Sequence, residues 1–368
     1  MKMQAALLLG INQPFIVDEV DLDEPRTGEV LVQIAASGVC HSDWHLVTGA
    51  TKHPMPLVAG HEGAGVVVAV GPGVTRVNLG DHVVLNWSPD CGRCFYCQRG
   101  KPNLCETFLA PIWAGTMLDG TPRLRYRRDP VYHFCGLASF AEYAVVSEQS
   151  CIPIRRDVPL AVAALVGCAV STGVGAVFYT AGVKPGDSVV VLGCGGVGLN
   201  IIQGAALSGA AAIIAIDNNP QKESLARLFG ATHFILSGDK VRQEVTNLTS
   251  GRGADYVFEA VGLPSLQELG LRLTRAGGTL VLVGLSHVKE PTNLSGAFIA
   301  RQEKTVKGSY YGSVHTHRDF PFLLDLYMAG KLNLDALISQ RYPLIAINEA
   351  YDAMLHGDVA RGVILFGE

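Results

Sequence analysis

The stretch Ser188-Val-Val-Val-Leu-Gly-Cys-Gly-Gly-Val-Gly198 determines the fold of the second half of the chain. Its continuous apolar run predicts a strand that is buried on both faces of a parallel sheet. The pattern G-x-G-x-x-G follows at Gly193, Gly195 and Gly198, and the sequence predicts a helix from there to about Leu207. A strand, a glycine-rich turn and a helix in this order predict a dinucleotide site, in which the helix N-terminus binds the pyrophosphate.

The acidic residue expected with this motif is Asp217, at the end of the next predicted strand. A carboxylate there accepts hydrogen bonds from the adenosine ribose hydroxyls and repels a 2′-phosphate. Asn218 and Asn219 follow it instead of arginines, so the sequence favours NAD over NADP. A plain glycine-rich turn with a helix-capping aspartate is the alternative interpretation.

Two domains are predicted from the change in strand pattern along the chain. The first 165 or so residues contain short strands separated by glycines, such as 29–35, 65–71 and 81–85, which are typical of a β-rich, barrel-like domain. Apolar strands at 212–217, 254–259 and 278–284 alternate with helices and predict a doubly wound parallel sheet. We expect an α/β protein with a catalytic domain at 1–169, completed by 309–368, and a nucleotide-binding domain at 170–308.

Composition excludes several classes of partner. The chain has 368 residues, of which 48% are hydrophobic and 17% charged, and its formal net charge is −4. This balance argues against a nucleic acid or an anionic membrane surface. No secretion signal is evident and no stretch approaches the roughly 18 apolar residues of a membrane span, so we expect a cytoplasmic protein. The run Arg123, Arg125, Arg127 and Arg128 predicts a solvated loop; contact with a partner or an anionic substrate is the alternative.

Four of the nine cysteines lie close together in the sequence. They follow the pattern Cys91-x2-Cys94-x2-Cys97-x7-Cys105. Four thiolates close a tetrahedral shell around zinc and leave no open position, so the spacing predicts a structural zinc site. An iron–sulfur cluster, a redox cysteine set and a nucleic-acid zinc knuckle are the alternatives.

A second metal site is suggested by residues that are far apart in the sequence. Cys40, His61 and Cys168 each border a glycine. Two cysteines and one histidine with an open fourth position form a catalytic zinc site. Spacing alone does not select these three residues, because an isolated cysteine or histidine is more often a packed core residue.

Five motifs in this order resemble the zinc-dependent alcohol dehydrogenases of the medium-chain dehydrogenase/reductase superfamily. The resemblance covers essentially the whole chain and implies a GroES-like β-rich catalytic domain plus a Rossmann domain. The motifs are Gly38-Val-Cys-His-Ser-Asp-x-His45, Gly60-His-Glu-Gly-Ala-Gly65, the four-cysteine lobe, Gly167-Cys168 with Ser171-Thr-Gly-x-Gly175, and the nucleotide fingerprint.

The resemblance assigns roles to residues around two zinc ions. It implies that Cys40, His61 and Cys168 bind the catalytic zinc, while Cys91, Cys94, Cys97 and Cys105 bind the structural one. Asp43 matches the carboxylate that orients His61, and Glu62 matches a carboxylate near the metal. Ser42 and His45 match the proton relay.

The resemblance also implies an NAD site and a substrate pocket. The residues matching the NAD site are His41 and Arg361 for the pyrophosphate, Gly193, Gly195, Gly196, Val197 and Gly198 for the fingerprint, Asp217 and Lys222 for the adenosine ribose, and Thr172, Val261, Val283 and Tyr311 for the nicotinamide. The residues expected to line the pocket are Trp87, Leu104, Leu109, Phe134, Leu285 and Tyr310.

The activity implied is NAD-dependent interconversion of primary aliphatic or aromatic alcohols and aldehydes, by hydride transfer with zinc as Lewis acid. A homodimer is expected, with a tetramer as the alternative. Thr51, His53 and Leu109 depart from the pattern of enzymes that act on the glutathione adduct of formaldehyde. Two alternatives stay open: a formaldehyde dehydrogenase that uses another, mycothiol-like thiol carrier, and an inert NAD- or zinc-binding scaffold. Cys135, Cys151 and Cys194 are assigned no metal.

Overall fold

The computed structural model describes residues 1–357 and 359–367. The chain forms two compact units, one made of Met1–Cys168 with His315–Glu368 and the other of Ala169–Val314. The sequence predicts domain boundaries after residues 169 and 308, and the structure places the boundaries between the two units after Cys168 and Val314.

Short strands dominate the first part of the first unit. The strands are β1 (Lys2–Leu8), β2 (Ile16–Leu22), β3 (Glu29–Gly38), β4 (Leu57–Val58), β5 (Gly63–Val70), β6 (His82–Leu85), β7 (Leu124–Tyr126), β8 (Asp129–His133), β9 (Tyr143–Ser147) and β10 (Cys151–Ile154). Three helices accompany them: α1 (His41–Val47), α2 (Glu106–Ala114) and α3 (Leu160–Leu165). Strands β1, β2, β7, β8 and β4 close a barrel in that order, which confirms the predicted β-rich, barrel-like domain.

The arginine run is only in part the solvated loop that the sequence predicts. Strands β7 and β8 pair there as an antiparallel hairpin, and Arg125, Arg127 and Arg128 are exposed, whereas Arg123 is buried. Arg123 is only 1% exposed. Its Nε donates to Glu29 Oε2 at 2.9 Å, and one guanidinium nitrogen donates to Asp119 Oδ2 at 2.7 Å. The two carboxylates compensate a buried cation, so this arginine is part of the core of the unit. Arg125 remains exposed and lies 3.7 Å from Asp23.

The second unit contains one parallel sheet. Its strands are β11 (Ser188–Leu192), β12 (Ala212–Asp217), β13 (His233–Leu236), β14 (Ala254–Glu259), β15 (Thr274–Leu282) and β16 (Thr305–Gly308). Its helices are α4 (Ser171–Gly175), α5 (Gly196–Leu207), α6 (Lys222–Leu228), α7 (Val241–Leu248), α8 (Pro264–Leu273) and α9 (Gly296–Arg301). The order β13-β12-β11-β14-β15-β16 reverses direction beside β11, which confirms the predicted doubly wound sheet.

One continuous helical stretch, Leu160–Ala181, corrects the expectation about membrane spans. Its length and apolar composition suffice to cross a membrane, but 89% of its most apolar window is buried inside the protein. This burial is the pattern of a core helix in a folded domain. The small residues that make the stretch so apolar also allow it to pack closely, and π-helical segments occur at Val166–Val170 and Ala176–Ala181.

The end of the chain joins the sheet of the first unit. It contains α10 (Thr316–Met328), β17 (Ile338–Pro343), α11 (Ile347–His356) and β18 (Arg361–Leu365). Strand β18 pairs antiparallel with the carboxyl end of β3, where Val363 lies opposite Gly38. The sheet order is therefore β10-β6-β5-β3-β18-β17, with β9 beside the first half of β3. This pairing brings Arg361 to the end of β3 that precedes Cys40.

Replacing Arg123 with alanine is expected to lower the free energy of unfolding by about 3–5 kcal/mol, because the Glu29 carboxylate then stays buried without its cation. Arg125→Ala is the matched control at an exposed position of β7, two residues further along the chain, and it should cost less than about 1 kcal/mol. Urea unfolding followed by circular dichroism measures both. Equal losses in the two variants would contradict a stabilising role for the buried ion pair.

Candidate active site

A cluster of four buried side chains lies in the first unit, where β3, β5 and the helical stretch after α3 come together. Cys40 follows β3, His61 and Glu62 precede β5, and Cys168 lies one turn beyond α3. One sulfur, nitrogen or oxygen atom from each residue lies within 4.8 Å of the others. Three chain segments far apart in sequence thus supply one metal-ligand set.

Asp43 fixes the orientation of the His61 ring. Its carboxylate is fully buried, and it accepts a hydrogen bond from the Gly60 amide at 2.9 Å. Nδ1 of His61 lies 3.2 Å from Asp43 Oδ1, whereas its Nε2 is buried without a hydrogen-bond partner. Burial works against a charged ring, but Asp43 and Cys40 outweigh it and raise the pKa of His61. The free Nε2 is therefore the atom left to bind a metal.

Glu62 has a cationic partner, the Arg361 guanidinium, in direct contact with its Oε2. Both side chains are buried. Burial raises the pKa of Glu62 to about 7, while the attraction of Arg361 opposes this rise. Gly38 is required beside them, because a Cβ there would collide with the Glu62 carboxylate. Arg361, which the resemblance assigns to a pyrophosphate, thus lies beside the buried cluster of Cys40, His61, Glu62 and Cys168.

Helix α1 carries the residues predicted for the proton relay and for a pyrophosphate contact. Ser42 Oγ lies 3.7 Å from Cys40 Sγ. His45 is partly exposed one helical turn later, and His41 is exposed at the first position of the helix. Within residues 1–357 and 359–367, no hydrogen bond joins the Ser42 and His45 side chains directly.

Two of the predicted substrate-pocket residues lie beside His61 in the first unit. The rings of Trp87 and Phe134 both meet the His61 ring edge-on, with centroids 6.5 Å and 5.4 Å away. Leu104 and Leu109 also lie in the first unit, but they are 37% and 51% exposed. The other two predicted residues belong to the second unit, where Leu285 is 61% exposed and Tyr310 precedes a short 3-10 turn.

The four-cysteine lobe forms a second cluster in the first unit. The sulfur atoms of Cys91, Cys94, Cys97 and Cys105 all lie within 4.8 Å of one another. Thr107, in the first turn of α2, donates a hydrogen bond to Cys91 Sγ at 3.2 Å. Burial acts to raise the pKa of Cys91, but this hydroxyl and nearby backbone amides lower it to about 6. The sequence reasoning missed Thr107, although a hydroxyl residue just after the last cysteine is a recognisable signal.

The glycine-rich turn of the second unit has the geometry that its sequence predicts. Gly193 has a φ of +95°, and a Cβ at Gly198 would collide with its carbonyl oxygen. Helix α5 begins directly after Gly195. Asp217 accepts hydrogen bonds from the Cys194 amide at 2.7 Å and the Asn219 amide at 2.9 Å. Its carboxylate therefore fixes the turn after β11 as well as the loop after β12.

The residues predicted around the nicotinamide lie on several elements of the second unit. Thr172 is on α4, and Tyr311 has a φ of +55°. Lys222, which the resemblance assigns to the adenosine ribose instead, opens α6. Val261 and Val283 follow the ends of β14 and β15, and the amides of both donate to Glu259. The sequence reasoning missed Glu259, although an acidic residue that ends an apolar strand is the signal that identified Asp217.

The remaining cysteines lie outside both metal-ligand groups found among the described residues. Cys135, Cys151 and Cys194 are all buried and free. Burial raises the pKa of each thiol, that of Cys194 to about 12. Their thiols therefore stay protonated and pack as small apolar groups.

Comparison with known families gives two matches along the chain. Residues 26–156 match the family described as the alcohol dehydrogenase GroES-like domain. Residues 196–329 match the family described as zinc-binding dehydrogenase. The first match contains three of the four members of the buried cluster and the whole cysteine lobe, and the second contains the nucleotide turn from Gly196 onward.

Individual relatives cover the full chain. An NDMA-dependent alcohol dehydrogenase from Amycolatopsis methanolica is 43% identical, over 99% of this chain and 99% of its own. An S-(hydroxymethyl)glutathione dehydrogenase from Paracoccus denitrificans is 38% identical over 100% of both chains. The crystal structure of benzyl alcohol dehydrogenase from Acinetobacter calcoaceticus superposes with a TM-score of 0.94 and 30% identity, and it covers 100% of both chains.

Alanine substitutions at Cys91 and Cys168 are expected to affect zinc content and stability differently, because the two residues belong to different clusters. Cys91→Ala should lose about half of the bound zinc and unfold at a lower temperature, because a closed structural site contributes to folding. Cys168→Ala should lose the other half with a smaller change in unfolding temperature. Zinc per chain from elemental analysis and thermal unfolding measure both effects.

The control is Cys151→Ala, a buried free cysteine outside both clusters, which should retain both metals. Full zinc content in Cys91→Ala, or loss of both zinc ions from a folded Cys168→Ala, would contradict two independent sites.

Proposed function

This chain belongs to the zinc-dependent alcohol dehydrogenases of the medium-chain dehydrogenase/reductase superfamily, and from that membership we propose that it interconverts primary alcohols and aldehydes with NAD. The observation that carries the proposal is the buried cluster of Cys40, His61 and Cys168, whose ligand atoms lie within 4.8 Å of one another. Two thiols and one imidazole with an open fourth position are the ligand set of a catalytic zinc in an alcohol dehydrogenase.

The polar atoms of this cluster fit zinc. His61 Nε2 is buried without a hydrogen-bond partner, and Asp43 occupies the other ring nitrogen. Glu62 is paired with Arg361, so three protein ligands remain and the fourth position is left for the substrate. Zinc bound here supplies a Lewis acid that lowers the pKa of the substrate hydroxyl.

The nucleotide turn fits NAD. The space around the Cα of Gly195 is open, so a phosphate has room to approach the first amides of α5. Asp217 at the end of β12 disfavours the additional phosphate of NADP because both groups are negative. NAD supplies the acceptor for the hydride. These features support NAD as the cofactor of the proposed reaction.

The proton of the substrate hydroxyl leaves by way of α1. Ser42 lies beside the Cys40 sulfur, so its hydroxyl is near the open ligand position. His45 is partly exposed on the same helix, so its ring nitrogens can exchange the proton with water. A bound cofactor would have to supply a hydroxyl group between the two side chains because, in the part of the chain that the structure describes, they do not hydrogen-bond to each other directly.

The aromatic side chains near His61 support an apolar substrate. The rings of Trp87 and Phe134 both lie edge-on to the His61 ring and are mostly shielded from water. Planar or extended apolar groups pack favourably against such rings. We therefore propose benzylic and primary aliphatic alcohols as the substrates, in agreement with the likeness to a benzyl alcohol dehydrogenase.

One relative supports a second candidate mode of cofactor use. The Amycolatopsis methanolica protein, 43% identical over 99% of this chain, is named for its dependence on NDMA. The second candidate is therefore an alcohol dehydrogenase whose turnover requires NDMA in addition to, or instead of, free NAD.

A thiol-adduct substrate has weaker support. The likeness to an S-(hydroxymethyl)glutathione dehydrogenase favours it. The arginine run, which could have met an anionic carrier, favours it less than its sequence suggests, because Arg123 is buried against Glu29 and Asp119.

We propose that the chain acts as a cytoplasmic homodimer. Strand β16 has one neighbouring strand among the described strands, so its other edge leaves backbone groups for a second copy. Light scattering on the purified protein measures the mass, and a monomer at micromolar concentration would contradict this part of the proposal.

A substrate panel tests the proposed reaction. The zinc-loaded protein is expected to reduce NAD with benzyl alcohol and primary aliphatic alcohols, and less with secondary alcohols, as followed by NADH absorbance. Oxidation that requires NDMA would select the second candidate, and formaldehyde oxidation only with added thiol would select the thiol-adduct substrate. Zinc-loaded protein without oxidation in any of these assays would contradict an enzymatic function.

Ser42→Ala is expected to lower kcat for alcohol oxidation by about 10²–10⁴, because the proton loses its first acceptor. Zinc content should not change, since the cysteine and histidine ligands remain. The control is Thr48→Ala, at the exposed end of the same helix, which should keep the wild-type kcat. Unchanged kcat in Ser42→Ala would contradict the proposed relay.

A further inference from the structure

Glu259 is a fully buried carboxylate at the end of a strand. It is the last residue of β14 and is 0% exposed. No described residue forms an ion pair with it, and its Oε2 is buried without a hydrogen-bond partner. A buried carboxylate is costly unless hydrogen bonds or a cation compensate its charge, so the groups that donate to Glu259 are what keep it there. Its contacts therefore indicate what it maintains.

The other carboxylate oxygen holds a tight turn. Glu259 Oε1 accepts hydrogen bonds from the Val261 amide at 2.8 Å and the Gly262 amide at 2.7 Å. The main-chain oxygen of Glu259 accepts from the amides of Val283 and Gly284, both at 2.9 Å. One residue thus joins the segment that follows β14 to the segment that follows β15.

The two segments lie so close together that only glycine fits at their contact points. Gly262 has a φ of +92°, and a Cβ there would lie 2.6 Å from the Leu285 carbonyl carbon. A Cβ at Gly284 would collide with the Gly262 amide nitrogen. On its other side the turn touches the nucleotide fingerprint, because Val261 fills the space that a Cβ at Gly193 would need. The position of Val261 therefore depends on the Glu259 carboxylate.

The order of strands indicates which half of the dinucleotide this turn serves. Asp217, the residue expected at the adenosine ribose, ends β12, on one side of β11. Strand β14 lies on the opposite side of β11. A dinucleotide whose pyrophosphate lies at the turn after β11 must therefore extend its nicotinamide half toward the ends of β14 and β15.

We propose that Glu259 is a positioning residue that holds the turn Ala260–Gly262 for the nicotinamide half of NAD. The inference rests on the proposed NAD dependence. It identifies Glu259 as the residue that fixes the backbone of the nicotinamide half of the site in the second unit. Glu259 acts through the backbone of Val261 and Gly262, and it does not itself touch the cofactor because its side chain is buried.

The test compares Glu259→Met, which removes the acceptor, with Glu259→Gln, which retains an oxygen for the two amides. On protein freed of nucleotide, Glu259→Met is expected to raise the NADH dissociation constant about tenfold or more, since the buried Gly262 amide and the partly buried Val261 amide lose their acceptor. The dissociation constant of ADP, which lacks the nicotinamide half, should change less than about twofold. Glu259→Gln should bind NADH nearly as tightly as the wild type.

NADH fluorescence and calorimetry with ADP measure these constants, and the KM for NAD should rise while kcat at saturating NAD changes little. Gly262→Ala displaces the same turn without altering Glu259, so it should also weaken NADH binding and spare ADP binding. If Glu259→Met does not fold, unchanged NADH binding in Gly262→Ala would still overturn the inference, because the turn would then not serve the nicotinamide half. The inference would be overturned if the variants weakened NADH and ADP binding equally, or if folded Glu259→Met and Gly262→Ala bound NADH as the wild type does. Either result would leave the NAD dependence of the wild type intact. Wild-type protein that binds no NADH would overturn the NAD dependence itself, and the inference with it.

Discussion

The geometry of the buried cluster around His61 depends on the hydrogen bonds of the Asp43 carboxylate. One oxygen accepts from the Gly60 amide and lies 3.2 Å from His61 Nδ1. This arrangement fixes both the backbone before His61 and the rotation of its ring, so that Nε2 points away from Asp43. Without it, the imidazole would have two equivalent nitrogens and no defined ligand atom. Asp43 is thus placed by α1 while it orients a residue on another segment.

Buried charge is handled differently at two other points of the first unit. Arg123 and Glu29 form a pair whose neighbours, including Asp119, complete the hydrogen bonds of the guanidinium. Glu62 and Arg361 also form a buried pair, but atoms of both side chains lack hydrogen-bond partners. The first pair is satisfied and stabilises the barrel. The second retains unsatisfied polar atoms within the buried cluster, which is typical of a site that binds a ligand rather than one that only stabilises the fold.

The parts that could be predicted from the sequence are those in which local spacing determines the contacts. The cysteine lobe needs only the spacing from Cys91 to Cys105 to bring four sulfurs together. The strands Ser188–Leu192, Ala212–Asp217 and Ala254–Glu259 were predicted to the residue, because an apolar run between polar turns is a strong signal in a parallel sheet. The buried cluster of Cys40, His61 and Cys168 needed the family pattern, because three segments meet there and no local rule selects them.

The contacts that the sequence did not reveal are those that the topology creates. The buried ion pair of Arg123 could not be predicted, because an arginine in a basic run resembles its solvated neighbours unless the carboxylates that pair with it are known. Glu259 and Asp217 show the same limit within a single sheet. Both are acidic and both end an apolar strand, so their local signals are alike. Only the strand order places Asp217 on one side of the nucleotide turn and Glu259 on the other. Glu259 is buried at its strand end and accepts hydrogen bonds from backbone amides. Asp217 stays partly exposed, so a ligand can reach it.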